Sequence, residues 1–254
     1  MPVTTSPQPP ARGRKTRGKL TPALRFLVPI VRNLSRGVFK ERFEGLDNVP
    51  AEGPAILVLN HISVLDPLAT ASFVYEAGRI PSFMIKDSVF KVPVLGKLML
   101  GARQIPVSRG TSASGGSLDA AVRMLRDGGV VAVYPEGTVT RDPDGWPMAG
   151  RNGAVRLALQ TGAPLIPVGQ WGIQELLPYG GRSLRVLPRK TARIRVGAPV
   201  DLADLRDRPV TAGTLREGTG RMMAAITDLV AELRGEPAPE GRWDPTTGAR
   251  VTGA

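Results

Sequence analysis

The sequence predicts an α/β fold: a single domain with a mixed, largely parallel sheet flanked by helices, plus an N-terminal amphipathic helix. Three observations lead to this prediction. Short apolar runs of strand length alternate along the chain with segments of helical periodicity. Polar clusters directly follow two of the apolar runs, as expected at the carboxyl ends of parallel strands. The 254 residues, 42% of them hydrophobic, suffice for one large domain with a substantial core.

The chain begins with a basic arm that is followed by a helix with one apolar face. Residues 1–19 are rich in Pro, Arg, Gly and Thr, a composition typical of a disordered segment. Over residues 20–40, apolar side chains recur every three or four positions with arginines between them, which predicts an amphipathic helix. Two interpretations stay open: a helix packed on the core with a solvated basic face, or a helix lying in a membrane interface.

The folded body is assigned to residues 41–234. Strands are predicted over residues 39–44, 55–59, 82–85, 104–107, 130–134, 165–168 and 192–196. Helices are predicted over residues 64–76, 89–100, 116–126, 153–160 and 215–233. Strands separated by helices of this length favour parallel pairing. Residues 235–254, rich in Pro, Gly and Thr, are predicted to form a disordered tail.

The positive charge is concentrated near the N-terminus. Of the net charge of +12, +9 lies between residues 12 and 42, where ten Lys or Arg stand against one acidic residue. Such a segment suits a polyanion, either nucleic acid or an anionic membrane surface. Because the rest of the chain is close to neutral and only 5% of all residues are aromatic, stacking platforms for nucleic acid are scarce.

Residue types that are missing or rare exclude several kinds of site. The chain contains no Cys, which rules out disulfides, thiolate-bound metals and a cysteine nucleophile. Its single histidine argues against a histidine-rich metal site, and we predict no metal. No apolar run is long enough to span a bilayer, and residues 1–19 lack the apolar region of a secretory signal. We expect a protein of the cytosol or, more specifically, one held peripherally or monotopically on the cytoplasmic face of the cell membrane.

The single histidine stands at a predicted strand end, five residues before an aspartate. His61 could act as a general base, and Asp66 could fix its tautomer and stabilise the imidazolium. A second interpretation uses the same residues differently. Ser63 and Asp66 have the spacing of a capping box, in which Asp66 would bind a backbone N–H and Ser63 would cap the next helix. Ser63 is also conceivable as a nucleophile, although the capping role is favoured.

Four sequence blocks, in order, resemble the glycerolipid acyltransferase family of the 1-acylglycerol-3-phosphate acyltransferase type. The blocks are residues 60–66 with the His-x4-Asp pattern, residues 101–109 ending in Arg109, residues 134–138 with the sequence Tyr-Pro-Glu-Gly-Thr, and residues 163–168 with an apolar-Pro-apolar pattern. The resemblance covers roughly residues 44–200. In one respect the chain departs from the family: Val139 stands where the family commonly has an arginine.

The resemblance implies roles for particular residues. His61 and Asp66 would be the catalytic pair, and Arg109 would bind the phosphate of the acceptor. Gly137 and Thr138 would donate hydrogen bonds to the same phosphate, and Glu136 would hold an acceptor hydroxyl or organise Arg109. Because of Val139, we expect Arg141 to take over the missing arginine's role.

The predicted function is acyl transfer from acyl-CoA, or from an acyl-carrier protein, to a lysophospholipid hydroxyl. The resemblance favours 1-acylglycerol 3-phosphate as acceptor and phosphatidate as product, with the donor as co-substrate and no further cofactor. The expected partners are the two substrates and an anionic membrane surface, and no nucleic acid. Three alternatives stay open: the same chemistry on a glycolipid or an amino-acid-derived lipid, a basic nucleic-acid-binding protein, and a membrane-bound protein that has lost catalysis.

Overall fold

A seven-stranded sheet lies at the centre of the computed structural model, which describes residues 20–107, 114–181, 183–244 and 246–251. The strands are β1 (Phe39–Glu44), β2 (Ala55–Leu59), β3 (Pro81–Lys86), β4 (Ile105–Val107), β5 (Val130–Val133), β6 (Leu165–Trp171) and β7 (Lys190–Val196). They lie in the order β1–β7–β6–β2–β5–β3–β4. Every neighbouring pair is parallel except β6 and β7, which confirms the predicted mixed, largely parallel sheet.

Helices cover both faces of this sheet. They are α1 (Pro22–Val38), α2 (Asp66–Glu76), α3 (Pro93–Gly101), α4 (Ser114–Arg126), α5 (Gly153–Thr161), α6 (Ala203–Arg206) and α7 (Ala212–Arg234). The central strand β2 is apolar and buried throughout, as expected for a parallel strand between two helical layers. Its residues alternate between the layers: Leu57 and Leu59 join the core under α2, while Ile56 and Val58 join the core under α4, α5 and α7.

The N-terminal helix α1 docks on α2 through charged side chains. Arg32 and Arg36 both pair with Glu76, with N–O distances of 2.7 and 2.6 Å. The helix turns a row of apolar side chains outward, spaced four residues apart, namely Phe26, Ile30 and Leu34, which are 61%, 46% and 52% exposed. The predicted amphipathic helix is therefore present, with its basic face partly engaged and part of its apolar face uncovered. No helix in the described ranges is long and apolar enough to cross a bilayer.

Two of the predicted helices have different bounds in the structure. The helix predicted over residues 89–100 divides into a 3-10 turn, Asp87–Lys91, and α3. Pro93 explains the division, because proline favours the first turn of a helix and holds the preceding residue extended. The helix predicted from residue 64 begins instead at Asp66.

The predicted disordered tail is wrong where the structure describes it. Strands β8 (Arg242–Asp244) and β9 (Ala249–Val251) form an antiparallel hairpin. The hairpin is held by a residue far away in sequence, since Arg250 pairs with Asp142 at 2.7 Å. Local composition cannot reveal such a contact. The predicted arm, residues 1–19, and the last residues of the tail, 252–254, lie outside the described residues.

Candidate active site

The sheet brings two of the four sequence blocks together. Strands β2 and β5 are parallel neighbours with Val58 opposite Val133, so they end side by side. His61 follows the first of these ends and Tyr134 follows the second. Polar clusters after two neighbouring parallel strands therefore form one site, as the sequence predicted.

The imidazole of His61 and the carboxylate of Asp66 form a hydrogen-bonded pair. His61 Nδ1 lies 2.7 Å from Asp66 Oδ2. The Asp66 side chain is fully buried, whereas 16% of the His61 side chain is exposed. With Asp66 ionised, Nδ1 must carry the proton, which leaves the lone pair of Nε2 available to accept another. Within the described part of the chain, Nε2 has no hydrogen-bond partner.

The same carboxylate oxygen also holds the turn that carries the histidine. The backbone N–H groups of Ile62 and Ser63 donate to Asp66 Oδ2 at 2.7 and 3.0 Å. Burial raises the pKa of Asp66, while the contact with His61 and these N–H groups lowers it, with burial the largest effect. A single oxygen of Asp66 therefore contacts the imidazole and also accepts from the backbone of the turn before α2.

We predicted that Ser63 caps α2, but it does not. The residue at the cap position is Leu65, whose side chain makes no capping bond. The Ser63 hydroxyl accepts from Leu65 N at 3.3 Å and donates to the Leu177 carbonyl at 2.9 Å. With the hydroxyl proton committed to a carbonyl and the side chain buried, Ser63 is a poor candidate nucleophile.

The ring of Tyr134 packs against one face of the His61 imidazole. The two rings stack with centroids 4.3 Å apart and an interplanar angle of 21°. The phenol oxygen lies 3.1 Å from Thr70 Oγ1, which donates to Gln170 Oε1 at 3.3 Å. Burial raises the pKa of Tyr134 well above its ordinary value, and the charge of Asp66 adds to the rise, so the phenol stays protonated.

Gln170 of β6 connects this network to the end of β2. It exchanges three hydrogen bonds with Asn60, two of them from side-chain amides to backbone carbonyls. The residue before the histidine is thereby clamped to a strand 110 positions later in the chain. The polar network thus anchors the residue before His61 and the Tyr134 ring that stacks on the imidazole.

Glu136 connects the two blocks instead of facing a substrate. Its oxygens accept from His61 N at 2.8 Å and from Met148 N at 3.0 Å. The residue is only 5% exposed and is not among the residues that line the cavity at the histidine, so its position does not support contact with an acceptor hydroxyl. The other predicted role, organising Arg109, stays a prediction because Arg109 lies outside the described residues. Burial raises the pKa of Glu136 from 4.5 to about 8, and the two N–H donors oppose that rise.

Two adjoining cavities lie in this part of the molecule, and His61 lines the first of them. The first, here called the catalytic cavity, has a volume of about 480 Å³ and is lined by His61, Tyr134, Thr138, Arg151 and apolar side chains. The second, called the apolar cavity, has a volume of about 260 Å³ and lies between α1, α2, α3 and β3. The two share Pro67, Phe83 and Ile85 as common walls.

Comparison with known proteins decides the family. The Acyltransferase family model matches residues 40–171, slightly more than half of the chain. The chain belongs to the Acyltransferase family. The matched region contains the His61–Asp66 pair, Tyr134 and Glu136, so the buried network described above is part of the domain that defines this acyltransferase.

Individual proteins are similar to part of this chain, and one of them is named as an acyltransferase. A chloroplastic 1-acyl-sn-glycerol-3-phosphate acyltransferase of Arabidopsis thaliana is 29% identical over 164 residues, 64% of this chain and 44% of that protein. An uncharacterised protein of Mycobacterium tuberculosis is 34% identical over 167 residues, 60% of this chain and 44% of that protein. The matches thus span less than half the length of these two relatives.

A solved structure shares the fold. The crystal structure of the 1-acyl-sn-glycerophosphate acyltransferase PlsC from Thermotoga maritima is 21% identical in sequence, with a TM-score of 0.60. The similarity covers 85% of this chain and 83% of that chain, so it extends well beyond the family-defining region.

The remaining predicted binding residues divide into three groups. Gly137, with a positive φ of 73°, and Thr138 both line the catalytic cavity of the acyltransferase. The Gly137 N–H, which we predicted to donate to the acceptor phosphate, donates instead to the Tyr134 carbonyl at 3.0 Å. Arg141 is exposed and does not line it, and the buried side chain of Val139 takes a place in the wall instead. Arg109 lies outside the described residues.

Arg151, which is not among the residues predicted above, also lines the catalytic cavity. A Cβ at Gly137 would lie 3.1 Å from Arg151 Nε, so the glycine makes room for the guanidinium. The glycine of the third block was a usable signal, yet its neighbour is 14 positions away and only the fold shows it. Among the described residues, no group of three or more His, Asp or Glu side chains is placed to bind a metal ion.

Proposed function

We propose that this acyltransferase moves an acyl chain from a thioester donor to the hydroxyl of a lysophospholipid, with 1-acylglycerol 3-phosphate as acceptor and phosphatidate as product. The donor is acyl-CoA or an acyl-carrier protein. The observation that carries the proposal is the His61–Asp66 pair, oriented by buried contacts and open to a cavity beside an apolar one. The activity for which the Arabidopsis relative is named supports the choice of acceptor.

The mechanism needs a base and no covalent intermediate. His61 Nε2 takes the proton of the acceptor hydroxyl as its oxygen attacks the thioester carbonyl, and Asp66 stabilises the imidazolium that results. The tetrahedral intermediate then collapses, the carbon–sulfur bond breaks, and the thiolate takes the proton back from His61. A thioester is already activated, which agrees with the absence of Cys and with the engaged hydroxyl of Ser63.

The oxyanion requires a donor aimed into the cavity. The Gly137 N–H is already used, since it donates to the Tyr134 carbonyl at 3.0 Å. The next residue, Thr138, lines the catalytic cavity, and its backbone N–H has no partner among the described residues. Thr138 N is therefore the donor that we assign to the oxyanion.

The apolar surfaces match a lipid substrate. The apolar cavity adjoins the catalytic one and can accept part of an acyl chain, with Met99 of α3 and Val28 of α1 among its walls. Next to it, the outward row of α1 and the exposed Val94 and Leu100 of α3 form an uncovered apolar surface. We assign this surface to the membrane, with the enzyme lying on its cytoplasmic face as a peripheral or monotopic protein.

A panel of acceptors tests the proposal. Purified protein is given labelled palmitoyl-CoA with lysophosphatidate, with lysophosphatidylcholine, with a glycolipid and with an amino-acid-derived lipid, and the product that gains label is identified. We expect phosphatidate. His61→Ala should lower the rate by about 10²-fold or more, the range of general-base catalysis.

The panel also separates the alternatives. Because Val139 replaces an arginine that the family commonly has, a different lipid acceptor is the second candidate, and label in the glycolipid or the amino-acid-derived lipid would establish it. A folded His61→Ala variant that keeps more than about a tenth of the wild-type rate would remove His61 from the mechanism. The panel is repeated with palmitoyl-acyl-carrier protein as donor, and absence of transfer to every acceptor from either donor would contradict the proposal as a whole.

A further inference from the structure

A second polar cavity lies next to the catalytic cavity. It has a volume of about 470 Å³ and is lined by three arginines, Arg151, Arg216 and Arg242, together with Asn152 and Thr219 and small or apolar residues. We call it the arginine cavity. No Asp or Glu is among its lining residues. Three guanidinium groups around one cavity without a carboxylate are suited to a ligand with several negative charges.

The arginine cavity is joined structurally to the active site. Arg151 lines both cavities, and its backbone N–H donates to the Pro135 carbonyl at 2.8 Å. The preceding Gly150 lies close against α7: a Cβ there would lie 2.5 Å from Met223 Sδ. The loop that carries Arg151 is thus fixed between the third sequence block and α7.

Two of the three arginines are not used by the fold. Nearby arginines on the same side of the sheet are paired, since Arg208 binds Glu217 and Arg221 binds Asp204. The side chains of Arg151 and Arg216, by contrast, make no ion pair or hydrogen bond within the described chain.

The third arginine differs from these two. Arg242 comes from the C-terminal hairpin and is half-buried. Burial lowers the pKa of its guanidinium, and the nearby charge of Asp228 opposes that fall.

The position of the cavity indicates which substrate it takes. The outward row of α1 and the apolar cavity belong to the α2 side of the sheet, whereas Arg216 belongs to α7 on the other side. The lipid acceptor arrives from the membrane at the α1 and α3 surface. A ligand that approaches His61 from the side of Arg216 and Arg242 comes from water instead of from the membrane. Its charged end then remains in contact with the arginines.

We propose that the arginine cavity binds the phosphates of the 3′-phosphoadenosine diphosphate end of acyl-CoA, so that acyl-CoA is the donor. This inference rests on the proposed function. The thioester then lies at His61, the pantetheine arm passes Arg151, and the nucleotide phosphates meet Arg216 and Arg242. Phosphate also occurs in the acceptor headgroup, so the experiment separates the two sources.

The test compares donors that differ only at the nucleotide end. Steady-state rates are measured with palmitoyl-CoA and with palmitoyl-pantetheine, for the wild type, Arg216→Gln and Arg216→Gln/Arg242→Gln. We expect the ratio of kcat/KM between the two donors to fall by about fivefold in the single variant and by about twentyfold in the double variant, as suits partly exposed charge-assisted bonds. The acceptor KM should change much less than the donor KM.

Arg156→Gln is the matched control. Arg156 lies on α5, is exposed and lines neither cavity, so its loss changes the net charge equally without touching the site. The control should keep the wild-type ratio. Binding of free CoA and of dephospho-CoA, measured by calorimetry with the full chain, supplies a readout that needs no turnover. Arg216→Gln should weaken CoA binding by about fivefold and dephospho-CoA binding by less.

The outcomes separate this inference from the proposed function. If the wild type transfers palmitate while Arg216→Gln keeps both the donor ratio and the CoA affinity, the inference is overturned and the proposed function stands. A rise in the acceptor KM alone would assign the cavity to the lipid headgroup instead. Use of an acyl-carrier protein in place of palmitoyl-CoA would also overturn it. If no transfer occurs but CoA binds and Arg216→Gln weakens that binding, the site stands and the proposed function falls.

Discussion

Replacing Asp66 by asparagine separates the two tasks of one oxygen. In the wild type, Oδ2 accepts from two backbone N–H groups and lies 2.7 Å from His61 Nδ1. The other oxygen, Oδ1, is buried and has no hydrogen-bond partner. An asparagine that keeps its oxygen at the Oδ2 position retains every acceptor function and places its NH2 group at the unpartnered position.

Asp66→Asn should lower the acyl-transfer rate much more than the stability of the fold. Three hydrogen bonds to an ionised carboxylate become bonds to a neutral amide, and a buried NH2 is left unpaired, which costs about 1–3 kcal/mol. Removing a buried negative charge offsets part of this cost. The imidazolium, however, loses its only charged partner in the described site, so we expect the acyl-transfer rate to fall by about 10³-fold. Melting temperature should change little.

The assay can follow the thiol that leaves the donor, because the chain contains no Cys and adds no background. Asp204→Asn is the matched control, since Asp204 lies on the surface in an ion pair with Arg221. If folded Asp66→Asn keeps its specific activity within about tenfold of the wild type and only melts earlier, the orienting role is refuted and Asp66 serves the turn alone.

Three further predictions follow from the site and from α1. The pKa of Glu136, raised from 4.5 to about 8, means that the folded chain keeps a proton that the unfolded chain loses. As the pH rises from 4.5 to 8, the wild type should therefore lose on the order of 4 kcal/mol of unfolding free energy relative to Glu136→Gln. Denaturant titrations of both proteins measure this change. If the difference in unfolding free energy between them stays constant with pH, Glu136 is ionised in the folded chain. Arg109→Ala should raise the acceptor KM well above any change in the donor KM, by about tenfold or more for lost charge-assisted bonds, and equal changes in steady-state kinetics would argue against phosphate binding. Phe26→Ser with Leu34→Ser should weaken sedimentation with anionic vesicles by about tenfold or more at high salt, and unchanged binding would place the contact on the catalytic body.

The parts of the fold with strong local signals could be predicted from the sequence. β1 and β2 have the predicted bounds, and each ends at a residue type that is common in turns, Gly45 after β1 and Asn60 after β2. The His61–Asp66 contact was also accessible, since five residues across a strand-to-helix turn form a local geometry.

Long-range contacts limited the rest of the prediction. Glu136 has the chemistry of a substrate ligand, yet two backbone N–H groups from separate segments use its oxygens. The tail has the composition of a disordered segment, yet Arg250 finds Asp142 more than a hundred positions earlier. In both cases the sequence shows the type of the side chain. It does not show the partner, because the fold brings that partner from a distant part of the chain.

The clamp between Asn60 and Gln170 has a consequence for how the protein is made. The histidine and its aspartate leave the ribosome together, but the strand that holds Asn60 is synthesised 110 residues later. Parallel pairing with β6 must wait for that segment, and such non-local pairings form slowly. A nascent chain that already contains the whole acid–base pair therefore still lacks a rigid site. The hydrogen bonds that hold Asn60 form only when β6 enters the sheet, so the site is completed late in synthesis although its acid–base pair is made early.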